Sequence, residues 1–276
     1  MIKSPLNFIG GKSKLLNQIL PLFPININNF IDLFGGGFNV GINVKAKKRT
    51  YYEKISHLVD FFNYLKTHEY IDVIREIEAI INNYKLSKIN KDGFLELRAY
   101  YNKDNQDIIL FYVLLCFSFN NQIRFNNKGK FNTPFGQNRS DFNNSLREKL
   151  LLFQQEIKKV NCTFETKDFR DFDISILTKE DFVYCDPPYL NSVATYTENK
   201  GWTKKDEQEL FDLLDELNEK EVKFALSNNL KYNNELLNKW KDKYNIHYLK
   251  TNYDNCNYHK KEENKTKDIE ILITNY

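Results

Sequence analysis

Metal-ligand spacing is missing from this chain. Its four histidines, at positions 57, 68, 247 and 259, stand far apart, and its four cysteines, Cys116, Cys162, Cys185 and Cys256, never form a Cys-x-x-Cys pair. No metal site is therefore expected. A disulfide framework is not expected either, and the thiols read as reduced and mostly structural. Long apolar runs are also lacking. No stretch is long enough to cross a bilayer and no apolar signal segment opens the chain, so a soluble, cytoplasmic protein without a membrane partner is expected. Charge of one sign is scarce: 40 Lys and Arg against 37 Asp and Glu leave +3. Any nucleic-acid surface must then be a local patch. Methionine occurs once, and lysine far outnumbers arginine. That bias, with many asparagines, reads as an AT-rich coding sequence rather than as function. Only ten glycines serve the 276 residues. This length allows one large domain or two modest ones, with an ample core.

Six of those glycines lie before residue 42: Gly10, Gly11, Gly35, Gly36, Gly37 and Gly41. The apolar pattern places the middle three at a strand-to-helix turn. Lys12 to Leu22 reads as a first helix, Phe30 to Phe34 as a strand entering the glycines, and Thr50 to Glu53 as a second strand ending in an acid. From Ile55 to Phe117 apolar residues recur at helical spacing, with Asp107 to Phe117 as a strongly apolar helix. Phe119 to Gly136 is polar, with a hairpin signal at Asn-Asn-Lys-Gly, residues 126–129. Leu146 to Val160 is again helical. Strands and helices then alternate: Cys162–Thr166, Phe182–Cys185, helix Lys204–Leu217, Val222–Leu226, helix Asn233–Lys243, Ile246–Lys250 and Ile269–Thr274. The expectation is an α/β fold with a mostly parallel sheet covered by helices, and a helical block inserted after the first βαβ part. His259 to Asp268 reads as a surface loop.

The segment with most chemistry is Asp181 to Tyr189, Asp-Phe-Val-Tyr-Cys-Asp-Pro-Pro-Tyr. A continuous apolar run is what a buried parallel strand requires. Asp186 then falls just beyond a strand's carboxyl end, where open α/β sheets bind ligands. Pro187 and Pro188 lack N–H groups and hold φ near one value, so their carbonyls are fixed acceptors. Tyr189 offers a face for a planar ring. An exocyclic amine is a poor nucleophile because its lone pair is delocalised. Two acceptors, the Asp186 carboxylate and the Pro187 carbonyl, would hold its hydrogens and aim the lone pair, a matter of preorganised electrostatics and positioning. The alternative is a strand stopped by an Asx turn and two prolines. Cys185 should point to the opposite face, and amine chemistry needs no protein nucleophile.

Phe8-Ile-Gly-Gly-Lys12, Phe30-Ile-Asp-Leu-Phe-Gly-Gly-Gly37 and Asp186-Pro-Pro-Tyr189 occur in the order found in alpha-class, Dam-type DNA adenine-N6 methyltransferases. The chain resembles their bacteriophage members. The likeness continues through Ile123 to Gly136, Phe224-Ala-Leu-Ser-Asn228 and Glu270 to Tyr276, so it covers nearly the whole chain. It implies a Rossmann-like methyltransferase domain, residues 1–55 and 145–276, with an inserted helical target-recognition domain, residues 56–144, bearing a β-hairpin. It implies S-adenosylmethionine as cofactor and duplex DNA as partner. Phe8, Gly10, Gly11, Lys12, Asp32, Phe34 and Gly36 match the cofactor cradle. Glu53 takes the ribose, as acids do at this place in dinucleotide folds, and Asp168 with Phe169 takes the adenine. Asp186 borders the reactive end, and the rings of Phe8 and Phe34 attract the sulfonium by about 0.5–2 kcal/mol. The family's turn has glycine where Phe38 stands here. Gly11-Lys12-Ser13 also resembles the end of a P-loop, but Leu6 occupies the place of its first glycine.

From Ile108 to Ser140 there is no aspartate or glutamate. Arg124, Lys128, Lys130 and Arg139 lie there among phenylalanines and amides. Lysines neutralise phosphates without reading sequence, whereas arginine reads guanine and Asn or Gln reads adenine in the major groove. A solvated loop is the bland alternative. The resemblance matches Arg124 to a guanine contact and puts Asn120, Gln122 and Pro134 near the target. Asn7, Asn126, Lys128, Asn132, Asn138 and Arg139 complete the expected DNA-contacting set. Asn138 stands where phage members carry arginine. GATC is the implied target, with a flipped-out adenine. A catalytically inactive DNA-binding protein and an RNA adenine methyltransferase remain alternatives. Oligomeric state, and membership of a restriction–modification pair or a phage, are left open.

Overall fold

The computed structural model describes residues 1–8, 10–103, 106–192, 201–250 and 269–276. Seven strands form one sheet: β1 (Ile27–Asp32), β2 (Ala46–Glu53), β3 (Cys162–Thr166), β4 (Phe182–Cys185), β5 (Lys223–Asn229), β6 (Asn245–Leu249) and β7 (Glu270–Thr274). Their order is β3-β2-β1-β4-β5-β7-β6. The first five are parallel, and β7 runs antiparallel between β5 and β6. This is the expected mostly parallel, Rossmann-like α/β sheet. The chain winds one way through β1, β2 and β3, then returns to place β4 on the other side of β1. The switch point therefore lies between β1 and β4, where such sheets form their ligand crevice.

Between β2 and β3 come α2 (Ser56–Thr67), α3 (Tyr70–Asn83), α4 (Lys91–Tyr101), α5 (Ile108–Phe117) and α6 (Asn144–Lys159), after the short α1 (Leu16–Ile19) near the start. The helix α5 is buried from Ile109 to Phe117, as a helix apolar on every side must be. Asp107 starts it by accepting from the Ile109 and Leu110 N–H groups at 2.8 and 3.1 Å, the usual use of an acid at an N-cap. α2, α3 and α4 all pack on α5, and α2 also covers β2 and β3. One apolar core consequently runs from the sheet (Tyr51, Phe164) into the helices (Phe62, Phe111, Phe153). On the sheet's opposite face, α7 (Lys204–Glu219) packs against β5, and α8 (Glu235–Trp240) packs against α7.

Several boundaries differ from the sequence reading. Lys12 to Leu22 is a 3₁₀ turn, α1 and a second 3₁₀ turn rather than one helix. Leu15 (φ −104°, ψ −3°) opens it, and Pro21 withholds a donor from its last turn. β2 starts at Ala46 rather than Thr50, because Lys47 and Lys48 are exposed strand residues that break the apolar pattern. β1 ends at Asp32, two residues before Phe34. β5 starts and ends later than Val222–Leu226, at Asn229, and α8 is shorter than Asn233–Lys243. The hairpin consists of two antiparallel bridges, Phe125 with Phe131 and Ser118 with Phe135, rather than a continuous ladder. Its tip closes with Gly129 N–H donating to the Asn126 carbonyl at 2.9 Å, Gly129 taking φ +70°. The loop expected over His259 to Asp268 lies outside the described residues.

Candidate active site

Three carboxylates meet at the carboxyl ends of β1, β2 and β4. Asp32 is in register with Tyr51 and with Tyr184, so Glu53 and Asp186 stand two residues further along on either side of it. Asp32 is 2% exposed. Burial first, then the neighbouring charges of Asp186 and Glu53, hold its carboxyl well above the usual range. Glu53 is tied to the glycine turn: its two oxygens accept from the Gly36 and Ile55 N–H groups, each at 3.0 Å. Burial raises its pKa, and those hydrogen bonds offset part of the rise.

The turn after β1 needs glycine at Gly36, where φ is +47° and a Cβ would stand 2.8 Å from the Phe8 ring. Phe38, in the position that the family pattern gives to glycine, adopts φ +56° and is fully buried. Its ring packs against Tyr51, Phe62 and Phe164. Gly41 makes room for it, since a Cβ there would lie 2.0 Å from the ring. The left-handed turn thus persists with a phenylalanine, and its strain is offset by core packing.

Asp186 follows β4 directly. Lys12, 6% exposed, places its ammonium 2.7 Å from Asp186 Oδ1 and 2.9 Å from the Gly10 carbonyl. The same ammonium lies 5.1 Å from the centre of the Tyr189 ring. The Tyr189 hydroxyl donates to Glu270 Oε2 at 2.9 Å, and lies 3.4 Å from Asp186 Oδ1. Burial raises the Asp186 pKa, Lys12 lowers it, and the Glu270 charge raises it again. Pro187 is buried and Pro188 exposed. Cys185 faces away, into the core with Val183 and Leu226, and burial pushes its thiol well up.

Beyond β3, Asp168 is gripped by Lys54 and Arg170, each at 2.9 Å. Burial alone would raise its pKa, but these hydrogen bonds prevail and hold it below the usual range. Phe169 joins Phe34 and Trp202 in a three-ring cluster, with centroids 5.4 to 5.6 Å apart. The Trp202 indole donates to the fully buried Glu207. A cleft of about 300 Å³ borders Ser4, Asn7, Phe8, Gly11, Ser13 and Asn39.

The structure therefore gathers Phe8, Gly10, Gly11, Lys12, Asp32, Phe34, Gly36, Glu53, Asp168, Phe169, Asp186 and Tyr189 around the carboxyl ends of the parallel strands. Glu270, Trp202 and Glu207 were given no role by sequence reasoning. Glu270 carried a faint signal, an acid opening an otherwise apolar final strand.

The polar segment follows α5 and meets the N-terminal motif, with Asn121 lining the same cleft as Phe8 and Gly11. Arg124, Lys128, Pro134, Asn138 and Arg139 are exposed, and Gln122 is half-buried. Two amides serve the loop itself. Asn126 Oδ1 accepts from the Lys128 and Lys130 N–H groups, and Asn120 sits at φ +55° with its carbonyl bonded by Asn7 Nδ2 at 2.7 Å. Arg139 lies over the Phe119 ring at 5.0 Å. The Asn132 Oδ1 is buried with no partner among the described residues.

A glycine turn after β1, an acid ending β2 and Asp-Pro-Pro-Tyr after β4 stand together at the switch point of an α/β sheet. The family model for D12 class N6 adenine-specific DNA methyltransferases matches residues 8–255, and the chain belongs to that family. It is an enzyme family that uses S-adenosylmethionine. The chain is 46% identical over its whole length to the type II methyltransferase M.FokI of Planomicrobium okeanokoites, and 44% to the modification methylase StsI of Streptococcus sanguinis. It spans 43% of each of those proteins. It is also 25% identical to the DNA adenine methylase of Escherichia coli K12, with 89% of this chain and 86% of that protein covered. Among the described residues, no cluster of side chains is arranged to hold a metal ion and no helix is long and apolar enough to cross a membrane.

Proposed function

We propose that this chain methylates the exocyclic N6 of adenine in duplex DNA at a specific site. The observation that carries the reading is the Asp186 corner: a partly buried carboxylate just past the switch-point strand, with a tyrosine ring beside it and an N–H donor already on one oxygen. The Lys12 ammonium, 2.7 Å from Asp186 Oδ1, supports this reading, because a nitrogen donor already sits on the carboxylate. An adenine amine would take that place, with its second hydrogen on the Pro187 carbonyl and its ring on Tyr189.

The donor set fits S-adenosylmethionine. Glu53 keeps lone pairs for ribose hydroxyls beyond its bonds to Gly36 and Ile55, Phe34 and Phe169 offer apolar ring surface, and the Gly36 turn leaves no side chain in the way. When bound, this group supplies an electrophilic methyl carbon on a sulfonium sulfur. The chain does the rest. Asp186 and Pro187 withdraw the two amino hydrogens from the ring plane, so the nitrogen lone pair points at that carbon. The group would give up its methyl carbon to nitrogen and leave as the neutral thioether, and Asp186 would take the proton shed by nitrogen and pass it to water. Tyr189 holds the base once it has left the stack.

Residues 56–144 supply target recognition, with Arg124 reading guanine and Lys128 and Arg139 on phosphates. Asn7, Asn120, Gln122, Asn132, Pro134 and Asn138 border the target. Asn126 shapes the turn as well as facing DNA. The Dam-like segments suggest GATC. The stronger similarity runs to proteins named as modification methylases, which favours a role in a restriction–modification pair. Sequencing DNA from cells expressing the chain, with modified-base detection, tests both ideas. N6-methyladenine at one motif supports the reading, and that motif either is or is not GATC. Unmodified DNA from cells that hold folded protein overturns it.

A further inference from the structure

We propose that Glu270 is a positioning residue that fixes Tyr189 for the base, a role that rests on the function proposed above. Glu270 opens β7 and is 7% exposed. Its side chain is clamped from both sides. Oε1 accepts from Asn229 Nδ2 at 3.0 Å, and Oε2 accepts from the Tyr189 hydroxyl at 2.9 Å. Asn229 is itself fixed: it is 4% exposed, lies directly opposite Glu270 in the β5–β7 ladder, and its Oδ1 accepts from the Lys231 N–H at 2.9 Å.

A tyrosine that stacks a base must resist rotation about χ1 and χ2. Its hydroxyl has two acceptors within reach, Glu270 at 2.9 Å and Asp186 at 3.4 Å. The shorter bond goes to Glu270. This leaves the Asp186 carboxylate for nitrogen donors rather than for the phenol, and it holds the ring where the Lys12 ammonium now faces it. The sheet's reversal makes the contact: only an antiparallel β7 beside β5 brings the first residue of that strand to the carboxyl ends of the parallel strands. Glu270 also adds a second negative charge near Asp186.

The test is a double-mutant cycle on methyl transfer to DNA, with wild type, Glu270→Gln, Tyr189→Phe and the pair. Each single change removes or weakens the same hydrogen bond. If Glu270 acts through the phenol, each lowers kcat by about tenfold, an effect of the size of one hydrogen bond to a charged group. The double variant then falls no further than the lower single. Removal of the Glu270 charge also moves the acid limb of the rate profile of Glu270→Gln to lower pH, a shift that a purely structural role does not produce. Cofactor affinity stays at the wild-type value, which shows the variants to be folded. Multiplicative losses in the pair, or an unmoved acid limb, overturn the proposal. If wild type itself transfers no methyl group, the functional reading fails instead, and the two failures are told apart in one experiment.

Discussion

Replacing Lys12 with Met removes the ammonium from Asp186 while keeping most of the apolar stem. The Lys12 side chain is 5% exposed and that of Asp186 17%, so the ammonium is buried and the carboxylate only partly so, which puts the pair at the low end of the range for buried pairs. Breaking a buried pair by removing one partner costs about 3–5 kcal/mol, because the remaining charge is uncompensated. Asp186 has an escape, since it can take up a proton. The sign follows from linkage. Burial already raises the folded Asp186 carboxyl, and Lys12 lowers it. A carboxyl raised on folding binds protons more readily in the folded state, so stability falls as pH climbs from the unfolded to the folded pKa. Without Lys12 that window extends to higher pH. The variant should therefore come closest to wild type at pH below the ordinary carboxylate range and fall progressively behind, by about 3 kcal/mol, as the pH climbs above it. Urea melts at intervals across that range measure it. Turnover gives a parallel signal, with the acid limb of the variant moved to higher pH. A stability gap that stays constant with pH would refute the reasoning.

Gly36→Ala forces a side chain into φ +47° and against the Phe8 ring. The left-handed conformation alone costs about 1–2 kcal/mol, so calorimetry should show S-adenosylmethionine bound about tenfold more weakly, and unchanged affinity would remove the turn from the site. Arg124→Ala should lose about 1–3 kcal/mol of discrimination between cognate and single-mismatch DNA. Competition assays that find discrimination intact would deny it a reading role.

Much of the fold and site could be read from the chain because their signals are local. Phe182 to Cys185 is apolar without interruption, and the acid and prolines that follow mark where the strand stops. Glu53 was legible for the same reason, as an acid ending an apolar run. What escaped depends on pairings remote in sequence. Lys12 looked like a cofactor contact, yet its ammonium is held by Asp186, and only the packing of the N-terminal turn against β4 brings them together. Glu270 carried only a faint signal, because strand alternation suggests parallel neighbours, whereas β7 enters reversed. Phe38 seemed to break a glycine turn, but the space its ring occupies is vacated by Gly41. In the recognition segment, amides such as Asn126 looked free for bases, and the structure spends part of that capacity on its own turn.

The central claim is that the corner past β4 steers an adenine nitrogen toward a transferable methyl group. It is tested most directly by incubating the protein and its Asp186→Ala variant with tritiated S-adenosylmethionine and duplex DNA, then digesting the DNA to nucleosides. Wild type should place label only in N6-methyl-2′-deoxyadenosine, and a variant that still binds the cofactor should place none. Label in deoxycytidine, no label in DNA from folded wild type, or continued turnover by the variant would contradict it.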